Sequence, residues 1–597
     1  MQAELDHVPD IARLKAKYLE ERDKRLRPDG LKQYHEVDMA HGEYARDPFS
    51  PEPAPRAPIQ REVDTVVIGA GHAGLLVAQA LVKNELSDFL IIEKAADFGG
   101  TWYWNRYPDC RCDIESYIYM PLLEEGGDMP KEKYARSSVI RANASRIGRK
   151  LGLYERSLFH TGVTSTRWDE ASSRWLVETD QGDLIRARFV CLGSGPMSRP
   201  KLPDIPGIET FKGKTFHTSR WDYSYTGGDE TGGMSGLADK NVAIVGTGAT
   251  ACQVIPRLAE SAKRLFVVQR TPAAVIERHN RPTDTAWWNS LGKGWAQDRA
   301  TNFAAFTVGQ TPDQDLVDDR WTYVFSRFNA AEATEGRYAR DTGYDAAEIV
   351  DYRLMEALRQ EIESKVRDKE TAEALKPWYN LFCKRPLFLE GYYETFNREN
   401  VSLIDTQGHS LDAITEHEIV FDGKKYPVDC IVFASGFEVA APLDRAGGLE
   451  LVGRDDITLK ERWRDGMKSV HGMLVNGFPN YLFVGGVRHA AFSWNVTYNL
   501  QLQADHVASV IKYCLDSGAK SFEARPSAEQ KWVEELELKS AVDLKFLAEC
   551  TPGYINNEGS EIGTGIASQA YGPGVLAYGE QLVKWRQTEM KNDLELK

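Results

Sequence analysis

Short apolar runs that break straight into glycine punctuate this chain. Val66-Val67-Ile68 runs into Gly69-Ala70-Gly71-His72-Ala73-Gly74 and then Leu75-Leu76-Val77, while Val242-Ala243-Ile244-Val245 runs into Gly246-Thr247-Gly248-Ala249-Thr250-Ala251. Each apolar run predicts a buried strand, each glycine cluster a tight turn, and the residues after the turn a helix. A second apolar run trails each unit, Phe89-Leu90-Ile91-Ile92 after the first and Leu265-Phe266-Val267-Val268 after the second. Strand, glycine turn, helix and strand are thus written twice, which predicts an α/β fold with two Rossmann-like dinucleotide-binding domains.

The rest of the pattern fills in around these units. Phe189-Val190-Cys191-Leu192-Gly193-Ser194-Gly195-Pro196 and Cys430-Ile431-Val432-Phe433-Ala434-Ser435-Gly436-Phe437 end in small residues, which lets a strand finish against a cofactor; as a pair they predict two crossovers between the domains. From about residue 280 to 378 the chain is rich in Ala, Glu, Asp, Arg and Trp, and Ile349, Tyr352, Met355, Leu358, Ile362 and Val366 recur at helical spacing. This stretch reads as a helical insertion in the second nucleotide domain, with Trp287, Trp288, Trp295 and Trp321 serving mainly in packing. Near the N-terminus Ile11, Leu14 and Tyr18 predict a helical surface arm stopped by Pro28-Asp29-Gly30, and prolines 48, 51, 53, 55 and 58 predict an extended connector.

The two glycine loops lead to different residues. Gly69, Gly71 and Gly74 let the backbone approach a pyrophosphate at the positive end of a helix, and Glu93 is placed to accept hydrogen bonds from both ribose hydroxyls. FAD or NAD fits that loop. After the second loop no acid appears; Gln269-Arg270 stands in its place, and a guanidinium matches the geometry of a 2′-phosphate that a carboxylate would repel. NADPH fits better there than NADH.

The chain has 597 residues, enough for two or three globular units, and 73 Lys plus Arg against 88 Asp plus Glu give a net charge of -15. That balance disfavours nucleic acid or an acidic membrane surface as partner. The charged N-terminal stretch is unlike a signal peptide and no apolar run reaches the roughly 20 residues of a membrane span, so a cytoplasmic protein is expected. The eight cysteines, at 110, 112, 191, 252, 383, 430, 514 and 550, lack metal-ligand spacing and are expected to be reduced. Cys110-Arg111-Cys112 is read as packing, since its spacing is too close for a redox dithiol.

Five further segments carry a resemblance. Phe211-Lys212-Gly213-Lys214-Thr215-Phe216-His217-Thr218-Ser219-Arg220-Trp221-Asp222, Gly99-Gly100-Thr101-Trp102-Tyr103-Trp104-Asn105-Arg106-Tyr107-Pro108, Arg111-Cys112-Asp113-Ile114-Glu115-Ser116, Gln269-Arg270-Thr271-Pro272 and Lys384-Arg385 together resemble the flavin-dependent Baeyer-Villiger monooxygenases over about residues 61 to 585. The resemblance implies an arm and linker (1-60), an FAD domain in two segments (61-205 and 430-597), an NADP domain in two segments (206-279 and 379-429) and the helical insertion (280-378). It implies FAD contacts from Thr101, Trp102, Tyr103, Trp104, Arg111, Cys112, Asp113, Tyr119 and Val163, beside Gly69, Gly71, Gly74 and Glu93. NADPH would be held by Gly246, Thr247, Gly248, Ala249, Thr250, Ala251, Cys252, Arg270, Thr271 and Lys384. The chain departs from the family pattern at Pro108-Asp109-Cys110, where Gly-Ala usually follows the proline, at Ser435, at Gly485-Gly486-Val487, and at Cys550-Thr551-Pro552-Gly553, where many members have a tryptophan loop closing over NADP.

The implied reaction inserts one oxygen atom of O2 beside a ketone carbonyl, giving an ester or lactone. NADPH reduces FAD, O2 adds at the flavin C4a, and the deprotonated peroxide attacks the ketone. The cofactor carries this chemistry, so the protein must supply position, dryness and charge. Arginine stays charged at any working pH, which makes Arg385 the candidate for stabilising the peroxyanion and the tetrahedral adduct, with Asp113 orienting it. His217 is read as transmitting domain movement rather than as a base. The competing readings are a related monooxygenase that oxygenates nitrogen or sulfur, a flavin-dependent reductase, and a non-catalytic redox sensor.

Overall fold

The computed structural model describes residues 10-36, 44, 46-126, 128-193, 195-439, 448-486, 488-540, 543-560 and 569-597; Ser194 and Val487 lie outside them. The first glycine loop belongs to the larger sheet. Strand Gln60–Ile68 lies between Leu184–Leu192 and Phe89–Ile92 and is parallel to both, with Ser157–Leu158 beyond Phe89–Ile92. On its other side the sheet turns antiparallel through Arg174–Thr179 and Val163–Asp169, ending at Glu450–Val452, and Tyr481–Phe483 also pairs with Leu184–Leu192. The parallel centre is apolar because helices cover it: His72–Lys83 and Val496–Asp516 join Val67, Phe89, Ile91 and Leu482 in one core.

The second sheet is wholly parallel, in the order Val401–Asp405, Arg264–Gln269, Asn241–Val245, Cys430–Phe433, Lys214–His217. This corrects the expected boundary at residue 430. Cys430–Phe433 is buried along its whole length and finds hydrogen-bond partners on both edges in this sheet, so the chain returns to the first sheet only after it, at Glu450–Val452. A short apolar run shows that a strand is buried without showing which sheet buries it.

Helices Thr285–Asn289, Trp295–Thr307, Arg320–Asn329, Ala331–Thr342, Ala346–Lys365 and Lys369–Ala374 occupy the expected insertion. Ala346–Lys365 starts where the Asp345 side chain accepts from the Ala347 and Glu348 amides, and it buries Ile349, Tyr352, Met355, Leu358 and Ile362 as one face. The N-terminal helix Ile11–Arg25 is more than a surface arm. Ile11, Leu14 and Tyr18 pack on Ile349 and Tyr352, burial worth about 1.5–3 kcal/mol per side chain, and buried Arg359 donates to the Tyr18 hydroxyl at 2.9 Å. Strand Tyr34–Glu36 then pairs antiparallel with Lys201–Pro203, which fastens the arm beside the second sheet.

Candidate active site

Both glycine loops have the geometry a pyrophosphate needs. Gly69 and Gly246 have φ of +97° and +113°, a region that favours glycine. Gly74 packs so closely that a Cβ there would lie 1.9 Å from the Gly69 carbonyl oxygen, and a Cβ on Gly100 would lie 2.6 Å from Gly71 Cα. Helices His72–Lys83 and Ala249–Ser261 begin at Gly71 and Gly248 with no side-chain cap, so their first amides remain available to an anion. Around the second loop, Gly248 and Ala249 are exposed and Thr250 half-buried, whereas Ala251 and Cys252 are buried against the sheet. Thr247 Oγ1 donates to the Thr271 carbonyl at 2.8 Å, and Thr271 Oγ1 is itself buried with no hydrogen-bond partner among the described residues. An orphaned hydroxyl at this place fits a coenzyme.

Glu93 follows strand Phe89–Ile92, buried, and accepts from the Ala70 and Ala95 amides at 2.6 and 2.8 Å. Each carboxylate oxygen has lone pairs left for a ribose hydroxyl. His72, at the start of the first helix, has a buried Nε2 without a partner among the described residues, and burial holds its pKa down to about 4, so it is a neutral imidazole. Trp102 Nε1 donates to the Tyr119 hydroxyl at 3.0 Å. Tyr103 and Trp104 look elsewhere: Tyr103 donates to Asp47 of the connector at 2.6 Å, and Trp104 lies under Lys94 and Arg220. Val163 is buried in the core of the first sheet, among Val66, Ile68 and Leu90.

The departure at Pro108-Asp109-Cys110 has a physical account. Asp109 has φ of +61°, a conformation natural to glycine and tolerated by aspartate, and its carboxylate ties Arg111, Arg136 and Arg257 together. Arg111 also donates to Glu132 and the Tyr134 carbonyl, while its backbone exchanges hydrogen bonds with Gln253 of helix Ala249–Ser261 at 3.0 and 3.1 Å. Arg111 therefore joins the two nucleotide units. Cys110 and Cys112 are unpaired and buried, and burial raises the Cys110 thiol to about 12 and the Cys112 thiol further.

Four segments meet at Arg385. Its Nε and Nη2 donate to the two oxygens of Asp113 at 2.9 and 2.7 Å, a bidentate pair. The guanidinium lies 5.0 Å from the Trp321 ring and 5.5 Å from the Trp494 ring, and Trp321 Nε1 donates to the Asp113 carbonyl at 3.1 Å. Burial alone would lower the Arg385 pKa; the Asp113 carboxylate outweighs it and holds the group charged. Trp494 continues the wall through Phe492, Phe382 and Phe325. Trp321 thus combines packing with a place against the arginine, whereas Trp287, Trp288 and Trp295 form a separate cluster with Tyr117.

His217 is fully buried at the end of strand Lys214–His217, its Nδ1 2.8 Å from Ser219 Oγ, and burial followed by the Arg220 charge lowers its pKa to about 3. It has no charge to give as an acid. Lys384 Nζ donates to the Pro552 carbonyl at 2.6 Å; burial, then the Arg270 charge, brings its pKa down to about 7. Arg270 meets protein partners that its sequence context did not announce: Gln33, Tyr34 and Glu558.

The expectation that every cysteine is reduced is corrected. Cys383 and Cys550 form a disulfide, with Cα atoms 5.1 Å apart across a sequence separation of 167. No local spacing could reveal that pair. It ties the Lys384-Arg385 segment to the Cys550-Thr551-Pro552-Gly553 segment. A large cavity among the described residues, about 1590 Å³, runs along the edge strand Val401–Asp405, where Arg25, Thr271, Tyr379, Gln407 and Thr551 also line it; Gly246 to Cys252, Arg270 and Lys384 are not among its lining residues.

Comparison with known proteins agrees with this geometry. Residues 67–128 match the NAD(P)-binding Rossmann-like domain. The chain is 47% identical to neopentalenolactone D synthase of Streptomyces avermitilis, over 98% of this chain and 99% of that protein, and 43% identical to a Baeyer-Villiger monooxygenase of Streptomyces coelicolor, over 97% and 96%. Among solved structures, the polycyclic ketone monooxygenase from Thermothelomyces thermophila superposes with a TM-score of 0.88 at 34% identity, covering 99% of this chain and 100% of that one. The OTEMO complex with FAD and NADP superposes with a TM-score of 0.73 at 28% identity, covering 91% and 100%.

Proposed function

The chain belongs to the Baeyer-Villiger monooxygenases, and we propose that Arg385, held by Asp113 between Trp321 and Trp494, is the group that stabilises negative charge during its reaction. The enzyme uses FAD and NADPH to convert ketones with O2 into esters or lactones, rather than oxygenating nitrogen or sulfur. Bound NADPH would supply the hydride, and bound FAD would carry the electrons to O2. The protein's own part is binding, orientation and charge. Asp113 takes Nε and Nη2 of Arg385, which leaves Nη1 to donate to a developing oxyanion, and the two indoles cover part of the guanidinium, whose side chain is still 26% exposed.

The uncapped helix starts at Gly71 and Gly248 support the assignment of one pyrophosphate to each loop. Glu93 would hold the FAD ribose. Arg270, Thr271 and Lys384 would hold the NADPH 2′-phosphate, and the unpartnered Thr271 hydroxyl supports this. For the substrate we infer a fused-ring, largely apolar ketone. The aromatic wall of Trp321, Trp494, Phe325, Phe382 and Phe492 supports this, as does the likeness to a polycyclic ketone monooxygenase. No helix among the described residues is long and apolar enough to cross a membrane.

The bidentate Arg385–Asp113 pair carries this reading. Arg385→Ala should still let NADPH bleach the flavin anaerobically at close to the normal rate, while ester formation from a fused-ring ketone falls by about 10²–10³-fold. Retention of a tenth or more of the oxygenation rate would reject the role.

A further inference from the structure

The cations assigned to the 2′-phosphate are joined by a carboxylate from near the other end of the chain. Glu558 Oε2 accepts from Arg270 Nη2 at 3.0 Å, and its Oε1 accepts from the Tyr34 hydroxyl at 3.3 Å and lies 3.5 Å from Lys201 Nζ. Arg270 Nη1 donates to Tyr34 at 3.0 Å and to Gln33, and the Lys201 ammonium stands 3.7 Å from the centre of the Tyr34 ring. The Glu558 side chain is 3% exposed whereas that of Arg270 is 30% exposed, so the acid sits on the inner side of the cluster and the guanidinium reaches outward. Burial would raise the Glu558 pKa, but the charges of Arg270, Lys201 and Lys384 hold it at about 2.

The backbone that delivers this carboxylate is strained. Asn557 and Glu558 have φ of +54° and +57°, two successive non-glycine residues in the left-handed region, a conformation that costs of order 1–3 kcal/mol per residue and persists only when contacts hold it. The Glu558 amide donates back to the Gly553 carbonyl at 2.7 Å, closing a tight turn just beyond the Cys383–Cys550 bridge. A guanidinium, the Lys201 ammonium, a phenol and Lys384, which a phosphate dianion would protonate, exceed what one carboxylate needs, and they match the three oxygens and roughly double charge of a phosphate monoester.

We propose that Glu558 is an internal stand-in for the 2′-phosphate, that Lys201 and Tyr34 are further ligands of that phosphate, and that NADPH gains entry by exchanging its phosphate for the carboxylate. The proposal rests on the assignment of Arg270 and Lys384 to the 2′-phosphate. Specificity then has two parts. A nucleotide with a 2′-phosphate displaces Glu558 and collects its cations, whereas one without it leaves Glu558 in place and gains nothing from them. The exchange also frees the strained 553-560 turn, which couples coenzyme arrival to the segment tied to Arg385.

The test is equilibrium binding of adenosine 2′,5′-bisphosphate and adenosine 5′-monophosphate to the full-length FAD-loaded protein, followed by calorimetry. Glu558→Gln removes the charge and keeps the shape; it should tighten the bisphosphate by about tenfold and leave the monophosphate unchanged. Glu558→Ala should act in the same direction, and Lys201→Met should weaken the bisphosphate by about tenfold. Hydrogen exchange across 553-560 in the wild-type protein should quicken when the bisphosphate is added. Bisphosphate binding that is unchanged or weaker in both Glu558 variants overturns the proposal. Arg270→Ala separates the two levels: if it loses the preference for bisphosphate while the Glu558 variants gain nothing, this inference alone is wrong, and if it keeps that preference, the 2′-phosphate assignment itself fails.

Discussion

Lys384 and Arg385 are adjacent in sequence and have opposite electrostatic fates. Arg385 lies against a bidentate carboxylate and keeps its charge, while burial and the nearby Arg270 bring Lys384 from 10.5 to about 7. At pH 8 Lys384 is therefore mostly neutral before the coenzyme arrives. A phosphate dianion beside it favours the ammonium, raises its pKa and draws a proton from solution. NADP+ binding at pH 8 should take up about one proton, read from calorimetry in buffers of different ionisation enthalpy, and the uptake should shrink at pH 6, where the lysine is already charged. Lys384→Met should abolish it; uptake that persists in that variant excludes Lys384 as the source. The sequence made Arg270, Lys384 and Arg385 visible because their neighbours form recognisable motifs. Lys201, Tyr34 and Glu558 had no such signal, since each sits in a stretch of unremarkable composition and acquires its role only when the chain's two ends meet on one guanidinium.

At the level of elements, the same distinction separates periodic features from long-range ones. The helix Ala346–Lys365 was legible because burial imposes its period on the sequence, whereas its start at the Asp345 cap shows only in the structure. Strand Cys430–Phe433 was legible as a buried strand but not as a member of the second sheet. The Cys383–Cys550 bridge was not legible at all, and it carries a sharp prediction. Closing a loop across a separation of 167 residues restricts the unfolded chain and should contribute about 2–4 kcal/mol. The double variant Cys383→Ala/Cys550→Ala should melt at a lower temperature than the oxidised wild-type protein. Prolonged treatment with a phosphine reductant should bring the wild-type protein down to the same midpoint and leave the variant where it was, slowly because both sulfurs are buried. A reductant effect of equal size in both proteins would point to some other target. The bridge also fixes one end of the segment that carries Glu558, so the double variant should show faster hydrogen exchange at 551-560 than the wild-type protein does.

On the scale of the whole molecule, the proposed centre of the chemistry belongs to no single unit. Asp113 comes from the first nucleotide unit, Trp321 from the helical insertion, Arg385 from the stretch just after it, and Trp494 from the returning segment near the C-terminus. The sequence disclosed the α/β plan and both loops because each is a local strand, turn and helix pattern. It could not disclose that Trp494 faces Trp321 at 4.8 Å, which depends on the packing of segments more than a hundred residues apart. On the proposed reading, that packing covers part of the guanidinium and shapes the substrate site, so its loss has a particular signature. Trp494→Ala exposes more of the guanidinium to water and removes part of the aromatic wall, while the Arg385–Asp113 hydrogen bonds and both glycine loops are left intact. NADPH should still reduce the flavin at close to the normal rate, but the ester formed per NADPH consumed should fall by about tenfold, the balance appearing as hydrogen peroxide. The loss should be larger for a fused-ring ketone than for cyclohexanone, because only the larger ketone reaches the missing indole. A variant in which the yield per NADPH stays at the wild-type value for both ketones would show that Trp494 neither excludes water nor bears the substrate, and would remove the aromatic wall as support for a polycyclic substrate.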